Sequence, residues 1–433
     1  NVYSAKELEA ELSNLIKNKS FDLEYGGDYE DSYSLDYLKS VNIVELNQSE
    51  NNSADCNDTK ELIEEITISK NLKELYIKST NFKEIPKWLF DLPNIEKLSI
   101  SCDSLERLPK EIVKLIKLKE VYISCSNLNE LPKEVGDLVN LKELYINCDS
   151  LEKIPEEIGN LTNLQELDIH CENLKDLPNE IGNLANLKIF SLGKYSFNEN
   201  SNLKIIPKEI GKLISLKEFY IFSSNLKELP KEIGDLVNLK RFEIDCDSLE
   251  ELPHEIGNLI NLKRFEIDCN SLEELPSEIG NLINISSFKI YCNKLKELPE
   301  EIGNLLKMEY FSMDSEVLKE LPKSIGNFTK LRSLGLDCSN LERLPKEIEN
   351  LKIIKGIDIR SDKLKEFPKE ILSMPKLERI DLHGNGIKEI PKEINNLTKL
   401  EKLDMQYCAN LKKTPKKIGN LIRESKIKCW WNF

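Results

Sequence analysis

The phrase LKELYINCDSLEKIPEEIGNLTN at residues 141–163 recurs along the chain every 23 residues, and that period constrains the fold more than any other feature. Coils begin at Leu72, Ile95, Leu118, Leu141, Leu164, Leu187, Leu216, Leu239, Leu262, Ile285, Met308, Leu331, Ile354, Leu377 and Leu400, fifteen in all. The coil from Leu187 carries six extra residues and the coil from Leu400 carries one; the others keep register. A unit this short cannot bury an apolar face alone, so stability must come from stacking each coil on its neighbours. A chain of 433 residues would otherwise suggest two or three separate cores. The repetition replaces that expectation.

Within a coil, apolar residues at positions 1, 4 and 6, such as Leu141, Leu144 and Ile146, predict a short strand with alternate side chains turned inward. A second apolar set follows at Leu151, Ile154, Ile158 and Leu161. Pro155 ends the extended run, and Gly159 is expected to close a short turn on the opposite side. Fifteen of the 17 prolines, from Pro86 to Pro415, hold this one position. Proline has no N–H, so a column of prolines fits only where the backbone makes no ladder bond, on the outer arc.

These residues resemble the leucine-rich-repeat family in its 23-residue, LPxEIGxLxNL variety, which occurs in bacterial repeat proteins, Ras-pathway scaffolds and plant intracellular proteins. The resemblance covers residues 72–421. It implies an α/β solenoid, a right-handed horseshoe with a parallel concave β-sheet and short turns or 3-10 helices on its convex side. It also implies a protein that scaffolds, senses or adheres through the concave face, and, among bacteria, a secreted or cell-surface location rather than a cytoplasmic one. The start at Asn1 rather than Met is what a trimmed leader would leave.

Residues 1–71 lie before the clean repeat and read as a cap: a helix opened by Ser4-Ala5-Lys6-Glu7, then loops, with Val41–Leu46 and Ile66–Ile68 as degenerate strands. Residues 422–433, with Trp430, Trp431 and Phe433, read as a C-terminal cap or tail. With 61 basic against 76 acidic residues the net charge is −15, which argues against a nucleic-acid partner. No apolar run approaches the ~20 residues of a membrane-spanning helix.

Nothing in the sequence assembles a catalytic constellation. His170, His254 and His383 are the only histidines, and no nucleophile–base pair, phosphate loop or HExxH motif is evident. No cofactor is expected, and the chain is read as a non-enzyme. Eight of the 11 cysteines share position 8: Cys102, Cys125, Cys148, Cys171, Cys246, Cys269, Cys292 and Cys338. Such a column is consistent with packing, since cysteine is a small and often buried hydrophobe. Disulfides between adjacent strands are a second reading. A metal is a third, with Cys148, His170 and Cys171 as its one candidate group.

Positions 3, 5 and 7 of each strand point away from the core and toward a partner. In the earlier coils they offer Tyr76, Tyr122, Tyr145, Asp168, His170, Tyr220 and Phe222; from Leu239 onward they hold Glu243, Asp245, Glu266, Asp268 and further acids beside arginines. Tyrosine and arginine are enriched at interface hot spots. Cross-strand stacking and pairing would account for the same residues without a partner. The long coil adds a candidate contact loop with Tyr195 and Phe197. The expectation is a non-catalytic scaffold that binds a protein with a basic or mixed-charge surface, the alternative being a surface adhesin for glycan or matrix.

Overall fold

In the computed structural model the fully described periods each fold as one coil: a strand, a turn, an extended run to proline, and a five-residue 3-10 turn. The structure describes residues 43–48, 72–79, 83–85, 87–193, 201–384, 386–405, 408, 410–412, 415 and 428–430. The chain divides into two compact units, Asn1–Leu216 and Lys217–Phe433. The expected N-terminal helix, the strand at Ile66–Ile68, Tyr195, Phe197, Trp431 and Phe433 lie outside the described residues.

The first unit contains β1 (Ile43–Gln48), β2 (Glu74–Ser79), β3 (Lys97–Cys102), β4 (Glu120–Ser124), β5 (Glu143–Asn147), β6 (Glu166–His170) and β7 (Ile189–Leu192). The second contains β8 (Glu218–Phe222), β9 (Arg241–Asp245), β10 (Arg264–Asp268), β11 (Ser287–Tyr291), β12 (Tyr310–Asp314) and β13 (Ser333–Asp337). It continues with β14 (Gly356–Arg360), β15 (Arg379–His383), β16 (Lys402–Asp404) and β17 (Lys428–Trp430). Within each unit successive strands pair in parallel, with equivalent positions of adjacent coils opposite one another, as in Tyr122 to Tyr145 or Glu243 to Glu266. The first strand, β1, overlaps the degenerate strand expected at Val41–Leu46 and pairs with β2.

The core runs along the inside of each unit. Leu144, Ile146, Leu151, Ile154, Ile158 and Leu161, all buried, show that the apolar columns read from sequence do face inward. In the second unit position 4 is filled by Phe219, Phe242, Phe265 and Phe288, whose rings stack nearly parallel with centroids 5.6, 5.5 and 5.3 Å apart. Phe311 and Phe328 extend the series edge to face. Such pairs add to the area they bury.

Proline stands where the column of them required. Pro155, at φ −64° and ψ 146°, precedes the 3-10 turn Glu156–Asn160, and its carbonyl accepts the Ile158 N–H at 3.1 Å. Its fixed φ suits that extended entry, and its missing N–H leaves no bond unmade. The glycine at this turn acts otherwise than its spacing suggests. Gly159 does not supply a left-handed turn residue; among the described glycines only Gly193 has a positive φ. It is small because the next coil comes so close: a Cβ there would lie 2.5 Å from the Glu180 backbone oxygen. Neighbouring turns are further tied by asparagine side chains, as in Asn140 to the Ile116 carbonyl (2.8 Å) and Asn163 to the Val139 carbonyl (2.9 Å). No helix among the described residues is long and apolar enough to cross a membrane.

Candidate functional site

The strands alternate half-exposed and buried residues, so positions 3, 5 and 7 form a continuous outward face in each unit. In the first unit the aromatic members meet. Tyr122 and Tyr145, opposite each other on β4 and β5, have ring centroids 6.1 Å apart, and His170 meets the Tyr145 ring edge-on at 5.0 Å. The His170 Nδ1 and the Tyr145 hydroxyl are 3.2 Å apart, and Nε2 lies 3.5 Å from the Ser191 Oγ. The Tyr122 hydroxyl donates to the Glu143 carboxylate at 3.1 Å, and the Lys97 ammonium sits 5.1 Å from the Tyr122 ring centre. Burial and the Glu143 charge push the Tyr122 hydroxyl up to about 12. Lys97 also pairs with Glu120 at 3.0 Å. Tyr76 stands further along the row, its hydroxyl donating to Glu74 at 2.8 Å.

Asp168 borders this cluster, opposite Tyr145. Its half-buried carboxyl, with Glu166 and Glu143 adding repulsion, is pushed up to about 6. The cluster therefore combines rigid aromatic area with a carboxylate that gains from an incoming cation.

The second unit is charged. Its Tyr220 hydroxyl bonds Glu218, and the Arg241 guanidinium lies 5.1 Å from the Tyr220 ring centre while bonding Glu243 at 3.1 Å. Two expected contact residues are largely inaccessible: Phe222 is 9% exposed and Glu243 8%. Arg241, reaching across Tyr220 to its carboxylate, helps to cover Glu243. Lys289 pairs with Glu266 at 2.9 Å. Asp245 and Asp268, opposite one another, have no such relief among the charges that act most strongly on them. Burial comes first, then Asp247, Glu243 and Glu266, to take Asp245 up to about 6; burial, Asp245, Asp247, Asp314 and Glu266 take Asp268 up to about 7.

Further along this unit sequence reading missed a basin of about 340 Å³. Its floor lacks long side chains at Ser312, Ser333, Gly335 and Gly356. Lys289 and Tyr310 bound it on one side, Asp358 and Arg379 on the other. Serines and glycines scattered over three coils give no local motif, so only the register of β11 to β15 reveals it.

The position-8 column lies inward. Cys125, Cys148, Cys171, Cys246, Cys269, Cys292, Cys338 and Cys408 are free and buried, and Cys102 is buried beside them. The thiols of Cys125, Cys148 and Cys171 point to the carbonyls of Ile100, Ile123 and Ile146 in the preceding coil, each at 3.9 Å. Burial pushes Cys125 and Cys171 up to about 12, far from a reactive thiolate. Ser223, Ser315 and Ser361 occupy the same buried position, and the Ser315 hydroxyl donates to the Leu295 carbonyl at 2.8 Å. The slot thus takes a small hydrogen-bonding side chain, which favours packing over a disulfide framework. His170 faces outward while Cys148 and Cys171 face inward, so the suggested metal group does not converge, and no such group occurs among the described residues. His254 lies elsewhere, bonded to Glu278 at 2.9 Å on the turn side, and His383 ends β15. A thiol reagent should label these nine cysteines slowly in the native protein and fully in denaturant. Equal labelling in both conditions, or disulfide-linked peptides by mass spectrometry, would contradict the buried, reduced column.

Comparisons with known proteins agree with this architecture. A family model described as leucine-rich repeat region matches residues 103–205, 124–251, 187–292, 254–334 and 319–432, and one described as R13L1/DRL21 LRRs matches residues 23–126. A search by sequence against curated proteins finds no match. Among solved structures, a leucine-rich-repeat protein of Leptospira interrogans is 32% identical, with 85% of this chain and 92% of that one covered at a TM-score of 0.67. The functional domain of Listeria monocytogenes InlJ, described as including a cysteine ladder, is 18% identical over 92% of this chain and 72% of that one, at a TM-score of 0.52. A chain of the Drosophila Toll–Spatzle complex is 17% identical over 80% of this chain and 49% of that one, at 0.64. The last two share the fold alone. Since the repeat model recurs from residue 103 to 432 and the 23-residue period is built as described, the chain belongs to the leucine-rich-repeat family.

Proposed function

We propose that the chain is a non-catalytic recognition module that holds a protein partner of basic or mixed charge on the outward strand face, with Tyr122, Tyr145 and His170 at the centre of contact. Leucine-rich-repeat domains typically bind proteins. The observation that carries the reading is the contact of these three rings on consecutive strands, with the Tyr122 and Tyr145 hydroxyls already engaged by Glu143 and His170. Such rings present large area and lose little freedom on docking. The partner's cationic character is supported by Asp168, whose carboxyl is desolvated among other acids, and by the net charge of −15. Steering by that charge makes association faster at low salt.

The test is a double substitution, Tyr122→Ala with Tyr145→Ala, measured against a partner captured by the unaltered protein. Affinity should fall by about 2 kcal/mol or more for each hot-spot ring, while circular dichroism stays unchanged because neither ring belongs to the core. Unchanged affinity in this variant, with loss on Asp268→Asn, would move the site to the charged face of the second unit. Capture of glycan in place of protein would favour the adhesin reading.

A further inference from the structure

We propose that the basin on the second unit is a binding site for a neutral sugar, taking one pyranose ring of an oligosaccharide against Tyr310 and the small residues of β12 to β14. Its volume of about 340 Å³ stands at the low end of the roughly 300–1,000 Å³ of small-ligand sites. It interrupts a charged surface. Strand β10 carries Arg264 and Glu266 outward and β15 carries Arg379 and Asp381. Between them the same two positions fall to Ser312 on β12, Ser333 and Gly335 on β13, and Gly356 on β14.

Packing does not call for glycine in this floor. At a turn such as Gly257 a Cβ would lie 2.6 Å from the backbone of the next coil, so a side chain is excluded. A Cβ on Gly356 would meet nothing nearer than the Ser333 Oγ at 3.8 Å, and one on Gly335 would meet only the rotatable Ser312 Oγ at 3.0 Å. Neither glycine has a positive φ. Glycine inside a strand weakens it. Two that serve neither packing nor conformation mark a surface kept clear for close approach of a ligand.

The groups left open in the cleared space match a sugar. The hydroxyls of Ser287, Ser312 and Ser333 have no hydrogen-bond partner among the described residues. Each can both donate and accept, as a sugar hydroxyl does. A protein side chain brings one or two polar atoms to such a floor, whereas a pyranose brings a hydroxyl on most of its ring carbons. Tyr310 is 51% exposed and stacks on no described ring. Its hydroxyl is also open, unlike those of Tyr76, Tyr122 and Tyr220, which glutamates hold. The ring therefore offers a bare apolar plane to the C–H face of a pyranose. Charges on the rim are already matched: Lys289 with Glu266 at 2.9 Å, Asp358 with Arg360 at 3.6 Å, and Arg379 with Asp381. An ionic ligand has to compete with one of these pairs, and a neutral one does not. The net charge of −15 disfavours acidic glycans further. This inference does not rest on the proposed contact centre in the first unit.

An array carrying neutral and acidic oligosaccharides side by side, exposed to the whole chain, should retain it on neutral glycans. Titration calorimetry with the strongest of them should show Tyr310→Ala weakening binding about tenfold. Gly356→Leu, which fills the cleared floor, should abolish it. Neither substitution should lower the melting temperature, because both side chains stand outside the core. Tyr122→Ala with Tyr145→Ala should bind the same glycan as the unaltered chain does. Retention on no glycan or on acidic glycans alone overturns the proposal, as does binding indifferent to both basin substitutions. A glycan lost in the Tyr122 and Tyr145 variant but kept by the basin variants belongs to the first unit and overturns it equally. So does a chain that ignores the array yet loses a captured protein on Gly356→Leu, which would make the basin part of a protein interface.

Discussion

Truncating Phe265 to alanine is expected to cost about 3–5 kcal/mol of stability, the range for a large aromatic removed from a packed core. The ring is 1% exposed and stacked on both sides, at 5.5 Å from Phe242 and 5.3 Å from Phe288. Its loss removes two aromatic contacts as well as the apolar area. The cavity falls between two coils, where there is no spare side chain to collapse into it. Because a stacked array is held by nearest-neighbour interfaces, the damage should concentrate around β9 to β11. Urea denaturation should show a lower midpoint, and hydrogen exchange should show the loss of protection centred on those strands. A cost below about 1 kcal/mol, or uniform loss of protection through the second unit, would refute this account of the phenylalanine column.

Valine at Gly257 should be nearly as damaging, by the opposite route. A Cβ there would lie 2.6 Å from the Glu278 backbone oxygen and 2.8 Å from the Glu278 Cβ, so the next coil must move away. Forced overpacking typically costs 1–3 kcal/mol, and this site belongs at the upper end because its nearest obstacle is backbone. Gly356→Ala is the control. The nearest atom to a Cβ there is the Ser333 Oγ at 3.8 Å, so alanine should be neutral or slightly stabilising in that strand. Thermal unfolding that ranks the two substitutions alike would refute the account of Gly257 as a place where neighbouring coils approach too closely for a side chain.

That contrast also marks how far the sequence could be read. Coil register, inward columns and the proline arc follow from spacing, because the residues that meet recur at one fixed interval. Glycine's role did not follow, since the clash that excludes a larger residue comes from the next coil. Outward direction was legible, but accessibility was not: Phe222 and Glu243 stand in outward columns and are nonetheless 9% and 8% exposed. Depth on that face depends on how neighbours such as Arg241 lie. The Tyr122, Tyr145 and His170 contact could be anticipated as a row of residue types, but its hydrogen bonds and ring geometry could not. The cysteine column was visible as cysteine; its nature as a slot shared with serine needed Ser223, Ser315 and Ser361 to be seen in the same place.

The asparagine ties and strand pairings reach only to the adjoining coil, as in Asn163 to Val139 or Tyr122 to Tyr145. Duplicating or deleting one whole coil therefore returns the strand pairings to equivalent partners, whereas an insertion of another length must leave strand and turn register intact, as in the coil from Leu187, where Leu167 pairs with Phe190 before the six extra residues and Asp176 with Ile205 after them. In-frame copying of a single repeat can lengthen the molecule without redesigning its interior. The residues that would meet a ligand alternate with those that hold the stack, so a new copy can diverge on one face while its buried half stays fixed. A gene built this way can gain reach by recombination and selectivity by point mutation as separate events.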